Sequence, residues 1–412
     1  MNALSVQCRL SRFGSFSGAL SGGGAISALI LALGGCASES LVPPGSTETG
    51  SDSGMQGSAS GGSGTLTQTP GGPVQGSGGS LGSPGLPGGP TTPADGSGGT
   101  PAVVDDTTPG GSNPVDVICT GDWSGQEPTQ PGMLVDHGSP SALPDNGGDQ
   151  FRLEGPVWAA GRLYLSQFRK WGDLPPGRIL EFDGTSFTEA FAGAGTNGLA
   201  VNAQGQLVAA SHRIQGLEIY DLAGGSSTPT AIATTGGPTQ FNSPNDLTLR
   251  GDGNIYFTDP TWQCGNCTGA GSTDAYRVAP DGQVTAIGAP HGQPNGIALS
   301  PSGDTLYVAG DNAGVYSYTV DTAGAVSGGS EFAAVTGVDG LAVDCAGNIY
   351  LSVHSTGDVK AFSPSGTELI TISVGSAITN LAFGGSDAKT LYITRDDGKL
   401  QSAAMNVPGL PY

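Results

Sequence analysis

The chain is poor in basic residues, in aromatic residues and in helical patterns. Only 14 of its 412 residues are Lys or Arg, against 35 Asp or Glu, and aromatic residues make up 6%. The formal charge of −21 argues against nucleic acid, or the face of an anionic bilayer, as a partner. From Phe151 onward, no stretch keeps the i, i+3, i+4, i+7 apolar spacing of an amphipathic helix, which excludes a helical domain.

Nucleophile motifs are also missing from the second half of the chain. Beyond Phe151 there is no Gly-x-Ser-x-Gly elbow and no recognisable Ser/His/Asp arrangement, which argues against a covalent acyl-enzyme route. The low Lys and Arg content leaves no basic patch that could capture a phosphate ester. Carboxylates, amides and a bound cation remain for hydrolytic chemistry, with His212 and His354 as further candidates for a base or a proton shuttle.

The first 114 residues have the composition of a targeting segment followed by a tether. Residues 1–35 combine a polar start with a weakly apolar stretch that ends in Leu-Gly-Gly-Cys36, which resembles a bacterial lipobox. We predict cleavage before Cys36, its lipidation, and an outer-membrane-anchored lipoprotein facing the periplasm or the exterior, with an ordinary secretory signal as the alternative. Residues 36–114 are mainly Gly, Ser, Thr and Pro, which predicts a disordered linker that touches the membrane only through its lipid.

Four cysteines remain after the signal segment and the anchor. Cys119, Cys264, Cys267 and Cys345 form an even set in an oxidising compartment, where three pairings are open. The CGNC spacing suits a local bridge between Cys264 and Cys267, which would leave Cys119 with Cys345. A zinc knuckle is the alternative, although no second CxxC or His pair accompanies it.

Residues 115–412 contain a sixfold repeat. A polar residue opens a short apolar run every 41 to 50 residues, at Glu154, Asn197, Asn245, Asn295, Asp339 and Asn380. Each opener is followed by further short runs that are rich in β-branched and aromatic residues and separated by Asp-Gly or Ser-Gly turns. This period is typical of one four-stranded blade per repeat, so we predict an all-β, six-bladed β-propeller with blades starting near 151, 195, 243, 293, 337 and 378.

The last repeat lacks a fourth strand, because the chain ends at NVPGLPY. An open ring would expose unpaired strand edges, which natural proteins avoid. A segment before Glu154 should therefore complete the last blade. Residues 150–153 (QFRL) and residues 132–138 (GMLVDHG) are both candidates, and the sequence does not choose between them.

The polar openers predict a metal site at the centre of the ring. In an up-and-down blade, the openers share a face with the ends of the second strands, Gln167, His212, Asp259, Asp311, His354 and Asp396. Two openers, Glu154 and Asp339, are carboxylates that repel each other unless a cation lies between them. Amide oxygens of Asn245 and Asn295 suit a hard cation, so Ca²⁺ is preferred over Zn²⁺ or Mn²⁺. For Asn197 and Asn380, capping of inner-strand turns is an equal alternative.

Several motifs in order, among them LEGPVW, FNSPNDLTL, QPNGIALS and VDGLAVD, resemble the gluconolactonase and senescence-marker-protein (regucalcin) family of six-bladed lactonases. The resemblance covers about Phe151 to Thr394. It implies that Glu154, Asn295 and Asp339 are the metal ligands, that Asn245 contacts substrate or a metal-bound water, and that Asp339 is the general base. His212, at the end of a second strand, is a further candidate for substrate contact.

The predicted function is therefore metal-dependent hydrolysis of a small-molecule lactone by a monomer. The cation would polarise the ester carbonyl and Asp339 would accept a proton from the attacking water. One alternative is a non-enzymatic propeller that binds an extracellular glycan or protein. Another keeps the metal but acts on other esters, such as phosphotriesters.

Overall fold

The described chain is a ring of β-sheets. A computed structural model describes residues 118–143, 151–169, 177–223, 228–236, 240–263, 273–288, 292–375 and 377–411. The proposed signal segment (1–35), the tether (36–114) and the pair Cys264 and Cys267 lie outside these residues. Within the described ranges, no helix is long and apolar enough to cross a bilayer.

Six four-stranded antiparallel sheets form the six blades, which confirms the predicted fold. A first strand, β1 (Val135–Gly138), precedes them. Blade 1 consists of β2 (Phe151–Ala159), β3 (Arg162–Arg169), β4 (Arg178–Phe182) and β5 (Phe187–Ala192). Blade 2 consists of β6 (Thr196–Val201), β7 (Leu207–Ser211), β8 (Gly216–Tyr220) and β9 (Thr230–Ala233). Blade 3 consists of β10 (Leu247–Leu249), β11 (Ile255–Asp259), β12 (Asp274–Val278) and β13 (Val284–Ala286).

Blades 4 and 5 repeat this order, and blade 6 takes its outer strand from elsewhere. Blade 4 consists of β14 (Pro294–Leu299), β15 (Thr305–Gly310), β16 (Gly314–Val320) and β17 (Val326–Ala333). Blade 5 consists of β18 (Val338–Val343), β19 (Ile349–Val353), β20 (Asp358–Phe362) and β21 (Glu368–Ser373). Blade 6 contains β22 (Ile378–Gly384), β23 (Thr390–Arg395) and β24 (Leu400–Ala404). In every blade the first strand is innermost and is buried along most of its length.

The ring is closed by β1, which pairs antiparallel with β24 as the fourth strand of blade 6. The segment 132–138 therefore supplies the closing strand. Of the other candidate, residues 150–153, residue 150 lies outside the described residues, and residues 151–153 begin β2, the innermost strand of blade 1. Closure by the N-terminal strand removes the unpaired edge that the truncated last repeat would otherwise leave.

The apolar core lies between neighbouring blades, because each sheet packs one face against the preceding blade and the other face against the following blade. One cluster joins blades 5 and 6 through Tyr350, Ile378 and Phe383, all fully buried. Another joins Val208 and Leu217 of blade 2 to Phe241, Phe257 and Tyr276, whose rings lie 4.9 to 5.5 Å apart on the blade 3 side. Packing of this kind fixes the angular position of each blade, and with it the place of each innermost strand around the axis.

We call the end of the ring that carries the connections between first and second strands (near 160–161 and 344–348) the closed face, because two chain segments cover it. The C-terminal segment crosses the ends of the innermost strands, where Leu410 N donates to Val343 O at 2.9 Å and Trp158 N donates to Pro411 O at 3.2 Å. The N-terminal segment is joined to the same face by a disulfide between Cys119 and Cys345, 226 residues apart. Of the three open pairings, the structure therefore contains Cys119–Cys345.

Candidate functional site

The polar openers are aimed at the axis by a recurring irregularity in the innermost strands. In five blades the pairing of the first strand with the second shifts register at or beside the opener, between Glu154 and Val157, Thr196 and Leu199, Pro294 and Ile297, Val338 and Leu341, and Ile378 and Leu381. A bulge of this kind bends the strand and redirects a side chain out of the ladder. The repeat thus carries a local device that places one polar side chain per blade near the axis.

A glycine after the opener lets neighbouring innermost strands approach closely. A Cβ on Gly155 would lie 2.1 Å from Asn197 O, and one on Gly296 would lie 2.4 Å from Asp339 O. No side chain fits at these distances, so the second letter of the EG and NG motifs is a packing requirement. The close approach draws the openers of adjacent blades together.

The opposite end of the ring, which we call the open face, carries a cavity of about 440 Å³. Connections between second and third strands surround it, including those after β3, β11, β15 and β19. Of the residues predicted for the site, Asn245, Asn295 and Asp339 line this cavity together. Trp262 and Gln263, which follow β11 in blade 3, also line it.

Glu154 and Asp339 are two buried carboxylates whose charges interact; Asp339 lines the cavity, whereas Glu154 is not among the residues that line it. Glu154 is 2% exposed to solvent and Asp339 is 9% exposed. Burial first, and then the negative charge of Asp339, raise the pKa of Glu154 well above its usual value, while Arg152 opposes the shift. Two carboxylates held together without a cation are electrostatically unfavourable. The pair therefore favours a positively charged ligand between or beside them.

Asn295 supplies the observation that best fits a cation. Its residue is 6% exposed, and its Oδ1 is buried with no hydrogen-bond partner among the described residues. A buried carbonyl oxygen without a donor costs free energy unless a ligand satisfies it. Two carboxylates and an orphaned amide oxygen are the donor set that a hard divalent cation prefers. The residues present thus fit a metal, although the described residues contain no group of three His, Cys, Asp or Glu that could hold one by themselves.

Asp246 adds a third carboxylate close to this pair. It is 6% exposed, and burial raises its pKa to about 7. Its carboxylate accepts hydrogen bonds from Leu247 N at 3.0 Å and from Asn380 Nδ2 at 3.4 Å. Leu247 is the next residue in the chain, whereas Asn380 belongs to blade 6, so the second hydrogen bond links blades 3 and 6 across the axis. Asn380 therefore has a structural contact, in line with the alternative considered for it.

His354 is the imidazole next to the carboxylate pair. Its Nδ1 lies 3.4 Å from Asp339 Oδ2, an ion-pair distance that is longer than a good hydrogen bond. The Asp339 carboxylate raises the pKa of His354 above its usual value, against the effect of burial. Unlike the other second-strand ends, His354 and Asp311 both line the cavity.

His212 is not among the residues that line the cavity, and both of its ring nitrogens are buried without a hydrogen-bond partner among the described residues, so its contact with substrate stays a prediction. Its side chain is fully buried. Its ring packs edge-on against Phe168, with centroids 5.1 Å apart, and burial lowers its pKa to about 4. Phe168, in contrast, does line the cavity.

Two other second-strand ends are also structural. Asp259 accepts hydrogen bonds from the backbone N–H groups of Asn242 and Ser243 at 2.8 to 2.9 Å. Gln167 accepts a hydrogen bond from Arg178 Nε at 2.6 Å and donates to Ser141 O at 3.0 Å. These side chains form hydrogen bonds with the loops around the open face, because the backbone groups of those loops need partners.

The cavity also contains residues that sequence reasoning missed, chiefly Arg152, Phe168, Arg169 and Trp262. For Arg152 a signal was available. It precedes Glu154 by two residues in β2, and residues two apart in a strand lie on the same side. For Arg169 there was none, since the sequence reading ended the second strand at Gln167 whereas β3 continues to Arg169.

Comparisons with known proteins agree with this geometry. The family described as SMP-30/Gluconolactonase/LRE-like region matches residues 153–396. A gluconolactonase from Zymomonas mobilis is 26% identical over 276 residues, which span 58% of this chain and 75% of the relative. The pentonolactonase XacC from Haloferax volcanii is 29% identical over 262 residues, 60% of this chain and 81% of the relative. The crystal structure of a calcium-binding protein, regucalcin, from Agrobacterium tumefaciens shares the fold with a TM-score of 0.52 at 24% identity, covering 63% of this chain and 93% of that one.

Proposed function

Because the chain belongs to the SMP-30/gluconolactonase/LRE-like family, we propose that it hydrolyses a small-molecule lactone at the open-face cavity and needs a divalent cation to do so. The observation that carries the proposal is the orphaned Oδ1 of Asn295 beside the buried carboxylates of Glu154 and Asp339. A propeller that only bound a glycan or protein would have no need of this buried, mutually repelling pair.

The cation would be held by Glu154, Asn295 and Asp339, and Ca²⁺ is the preferred ion. Carboxylate and amide oxygens are hard ligands, and no cysteine or histidine of the described chain lies in the set. The name of the regucalcin from Agrobacterium tumefaciens as a calcium-binding protein supports the same choice. When bound, such an ion supplies a Lewis acid that polarises an ester carbonyl.

The protein's own residues supply the proton transfers. An Asp339 oxygen accepts a proton from the attacking water, whose oxygen bonds to the lactone carbonyl carbon. The ring C–O bond then breaks, and the departing alkoxide takes the proton back from Asp339, which leaves the open hydroxy acid. His354, 3.4 Å from Asp339 Oδ2, holds that carboxylate in place, and the Asn245 amide at the cavity surface orients the lactone ring.

The N-terminal segment adds a proposal about location. We propose that lipidation of Cys36 anchors the chain in the cell envelope, with residues 36–114 as a spacer between the lipid and the propeller. The support is the composition and the lipobox-like Leu-Gly-Gly-Cys sequence. A Cys36→Ser variant should lose metabolic labelling by a fatty acid and move from the membrane fraction to the soluble envelope fraction.

The central test is hydrolysis over a panel of lactones, followed as acid release at constant pH. We expect turnover that a chelator abolishes and added Ca²⁺ restores. An Asp339→Asn variant should lose about 10²- to 10⁴-fold in kcat, the usual contribution of a general base, and more if metal binding also fails.

A matched control is Glu181→Gln, since Glu181 is a half-buried carboxylate paired with Arg162 near the closed face, away from the cavity. This variant should keep wild-type kcat. Bound metal without hydrolysis of any lactone would instead favour the non-enzymatic binding propeller. Chelator-sensitive turnover of phosphotriesters, but not of lactones, would point to the alternative esterase.

A further inference from the structure

Trp262 is an exposed aromatic residue at the mouth of the open-face cavity. It is 39% exposed and lines the cavity, and no other aromatic residue of the described ranges is a large exposed side chain. Asn295 and Asp339, which line the same cavity, are buried. The cavity therefore runs from buried polar groups, where a lactone would react, to an indole at its opening.

The backbone on both sides of Trp262 is fixed by hydrogen bonds. Gln263 N donates to Ser243 Oγ at 3.3 Å. On the other side, Thr261 N donates to Gln293 Oε1 at 2.9 Å, and Gln293 Nε2 donates to Thr261 Oγ1 at 3.0 Å. Because both neighbours of Trp262 are held, a ligand that covers the indole pays little for ordering this part of the chain.

Two groups with acceptor oxygens, Gln263 and Asp311, line the cavity on the same side of the ring. Gln263 Oε1 is buried and has no hydrogen-bond partner among the described residues. Asp311 N donates to Gln293 O at 3.0 Å, so Gln293 joins Asp311 to the turn that carries Trp262. The Asp311 carboxylate accepts a hydrogen bond from Asn312 Nδ2 at 3.0 Å, and a carboxylate can accept several more. Blades 3 and 4 thus combine an apolar ring face with oxygens that accept hydrogen bonds.

Resting on the lactone hydrolysis proposed above, we propose that Trp262, Gln263 and Asp311 form a subsite for a second sugar ring, and that the substrate is a glycosylated sugar lactone, the lactone of an aldobionic acid. A pyranose ring has an apolar C–H face that can cover an indole, and hydroxyl groups around its edge that can donate to amide and carboxylate oxygens. A purely apolar substituent would cover the indole but bring no donor to Gln263 Oε1.

The size of the cavity agrees with a ligand of two rings. Its volume of about 440 Å³ lies in the range of roughly 300–1,000 Å³ that encloses drug-sized ligands. A single sugar lactone, with about a dozen non-hydrogen atoms, is smaller than such ligands. A lactone ring placed against Asn295 and Asp339 leaves the Trp262 end of the cavity for the second ring.

The experiment compares lactones that share one reacting ring. Cellobiono-1,5-lactone and maltobiono-1,5-lactone carry an additional glucosyl group, β-linked or α-linked, on the ring of D-glucono-1,5-lactone. After subtraction of spontaneous ring opening, the full-length, Ca²⁺-loaded protein should show a kcat/KM about tenfold or more higher for at least one disaccharide lactone. The gain should come mainly from a lower KM, because the second ring makes the same contacts before and during the reaction.

Trp262→Ala should lower the ratio of the disaccharide to the monosaccharide kcat/KM about tenfold, mainly through a higher KM for the disaccharide lactone. Trp262→Phe should keep part of the ratio, because a smaller aromatic face remains. Asp311→Asn should also lower the ratio, because a charge-assisted hydrogen bond is replaced by a neutral one.

The matched control is Trp123→Ala, the same substitution at the closed face. Trp123 is half-buried in the N-terminal segment, where Lys389 Nζ lies 5.3 Å from the centre of its ring. This variant should keep the wild-type ratio.

A binding measurement tests the subsite without hydrolysis. Calorimetric titration with the ring-opened acids should show tighter binding of cellobionate or maltobionate than of gluconate, and Trp262→Ala should remove the difference. Equal kcat/KM values and equal affinities in the wild type, or a preference that survives Trp262→Ala, would overturn the second-ring subsite and leave the lactonase standing. A calorimetric preference that depends on Trp262, without hydrolysis of any lactone in the panel, would overturn the proposed function and keep the subsite.

Discussion

Buried carboxylates occur at both ends of the propeller, and they are treated in opposite ways. At the closed face, the residue Asp344 is fully buried and accepts hydrogen bonds from Ala346 N, Asn348 N, Asn348 Nδ2 and Tyr350 OH at 2.8 to 3.0 Å. At the open face, Glu154 and Asp339 repel each other, and Asn295 Oδ1 beside them lacks a described donor. Asp344 is thus satisfied by the chain itself, whereas the described residues leave Asn295 Oδ1 without a donor and the charges of Glu154 and Asp339 opposed.

The same contrast extends to the chain segments around each face. The Asp344 turn is joined to the N-terminal segment, where Asn348 Nδ2 donates to Gln126 O at 2.9 Å, and to the disulfide through Cys345. At the open face the connections diverge and leave a cavity of about 440 Å³. A buried polar group that is satisfied by its own fold therefore indicates architecture, and one that is not indicates a site for something else.

Two substitutions, one at each face of the ring, should show most clearly whether the buried carboxylates of the two faces have different roles. Glu154→Gln should lower lactone turnover at limiting Ca²⁺ by at least about 100-fold, because even the hydrogen-bond partners of metal ligands are worth up to about 100-fold. It should not destabilise the metal-free protein, since it removes a repelling charge. Asp344→Asn should do the reverse and cost roughly 1–3 kcal/mol in the free energy of unfolding, because it leaves buried donors without an acceptor.

Urea unfolding in the presence of chelator, with Ca²⁺ titrations of turnover, measures both halves of this prediction. Each protein should be compared per folded molecule, so that a loss of stability is not counted as a loss of activity. If both variants lose stability and Glu154→Gln keeps the wild-type Ca²⁺ dependence, the carboxylates of both faces are structural and the contrast between the faces is wrong.

Removal of the disulfide should weaken the closed face and spare the open one. The double variant Cys119→Ala, Cys345→Ala loses a crosslink across 226 residues, which should cost about 2–5 kcal/mol of stability. The N-terminal segment also positions β1, so unfolding should start from blade 6. Thermal unfolding with and without a reductant measures the loss: the reductant should shift the wild type but not the variant. The KM for lactone should stay unchanged at temperatures where the variant is folded.

The pH dependence of stability should show a smaller effect from His212, which is packed behind the cavity wall. Burial lowers its pKa from 6.5 to about 4, so the unfolded chain binds a proton more readily than the folded one between these values. The stability that this histidine contributes is therefore present above pH 6.5 and lost as the pH falls towards 4, with a limiting slope of roughly 1.4 kcal/mol per pH unit.

His212→Gln should flatten that part of the stability curve, measured by urea unfolding at pH 7, 6 and 5. If the free energy of unfolding depends on pH in the same way in the wild type and the variant, His212 is hydrated in solution and accessible from the cavity.

The fold was predictable because a propeller repeats its local pattern. The opener and the turn signals recur in every blade and the glycine after the opener in four of the six, and each is a short-range property. The order of the site residues was predictable for the same reason, since equivalent positions of a closed ring face one axis. The closing strand was not, because residues 132–138 and 150–153 have similar local preferences and only pairing with β24 distinguishes them.

The cavity wall was predictable only in part. Arg152 follows from the two-residue period that places it on the same side of β2 as Glu154. Arg169 and Trp262 depend on how far β3 and β11 extend before their connections turn, and strand ends are the least certain feature of a sequence reading. The position of His212 could not be predicted for a related reason: the end of a strand can face the cavity or the neighbouring blade, and in the structure the His212 ring packs against Phe168.

The sequence by itself determined the number of blades, the polar opener of each and the scarcity of basic residues, because these depend on residue type and spacing alone. Tertiary structure decided which acidic groups are satisfied and which are not, and which strand closes the ring. Hydrogen-bond partners and charge neighbours come from segments far apart in the chain. Ring closure brings Glu154 and Asp339, 185 positions apart in the sequence, to the same site.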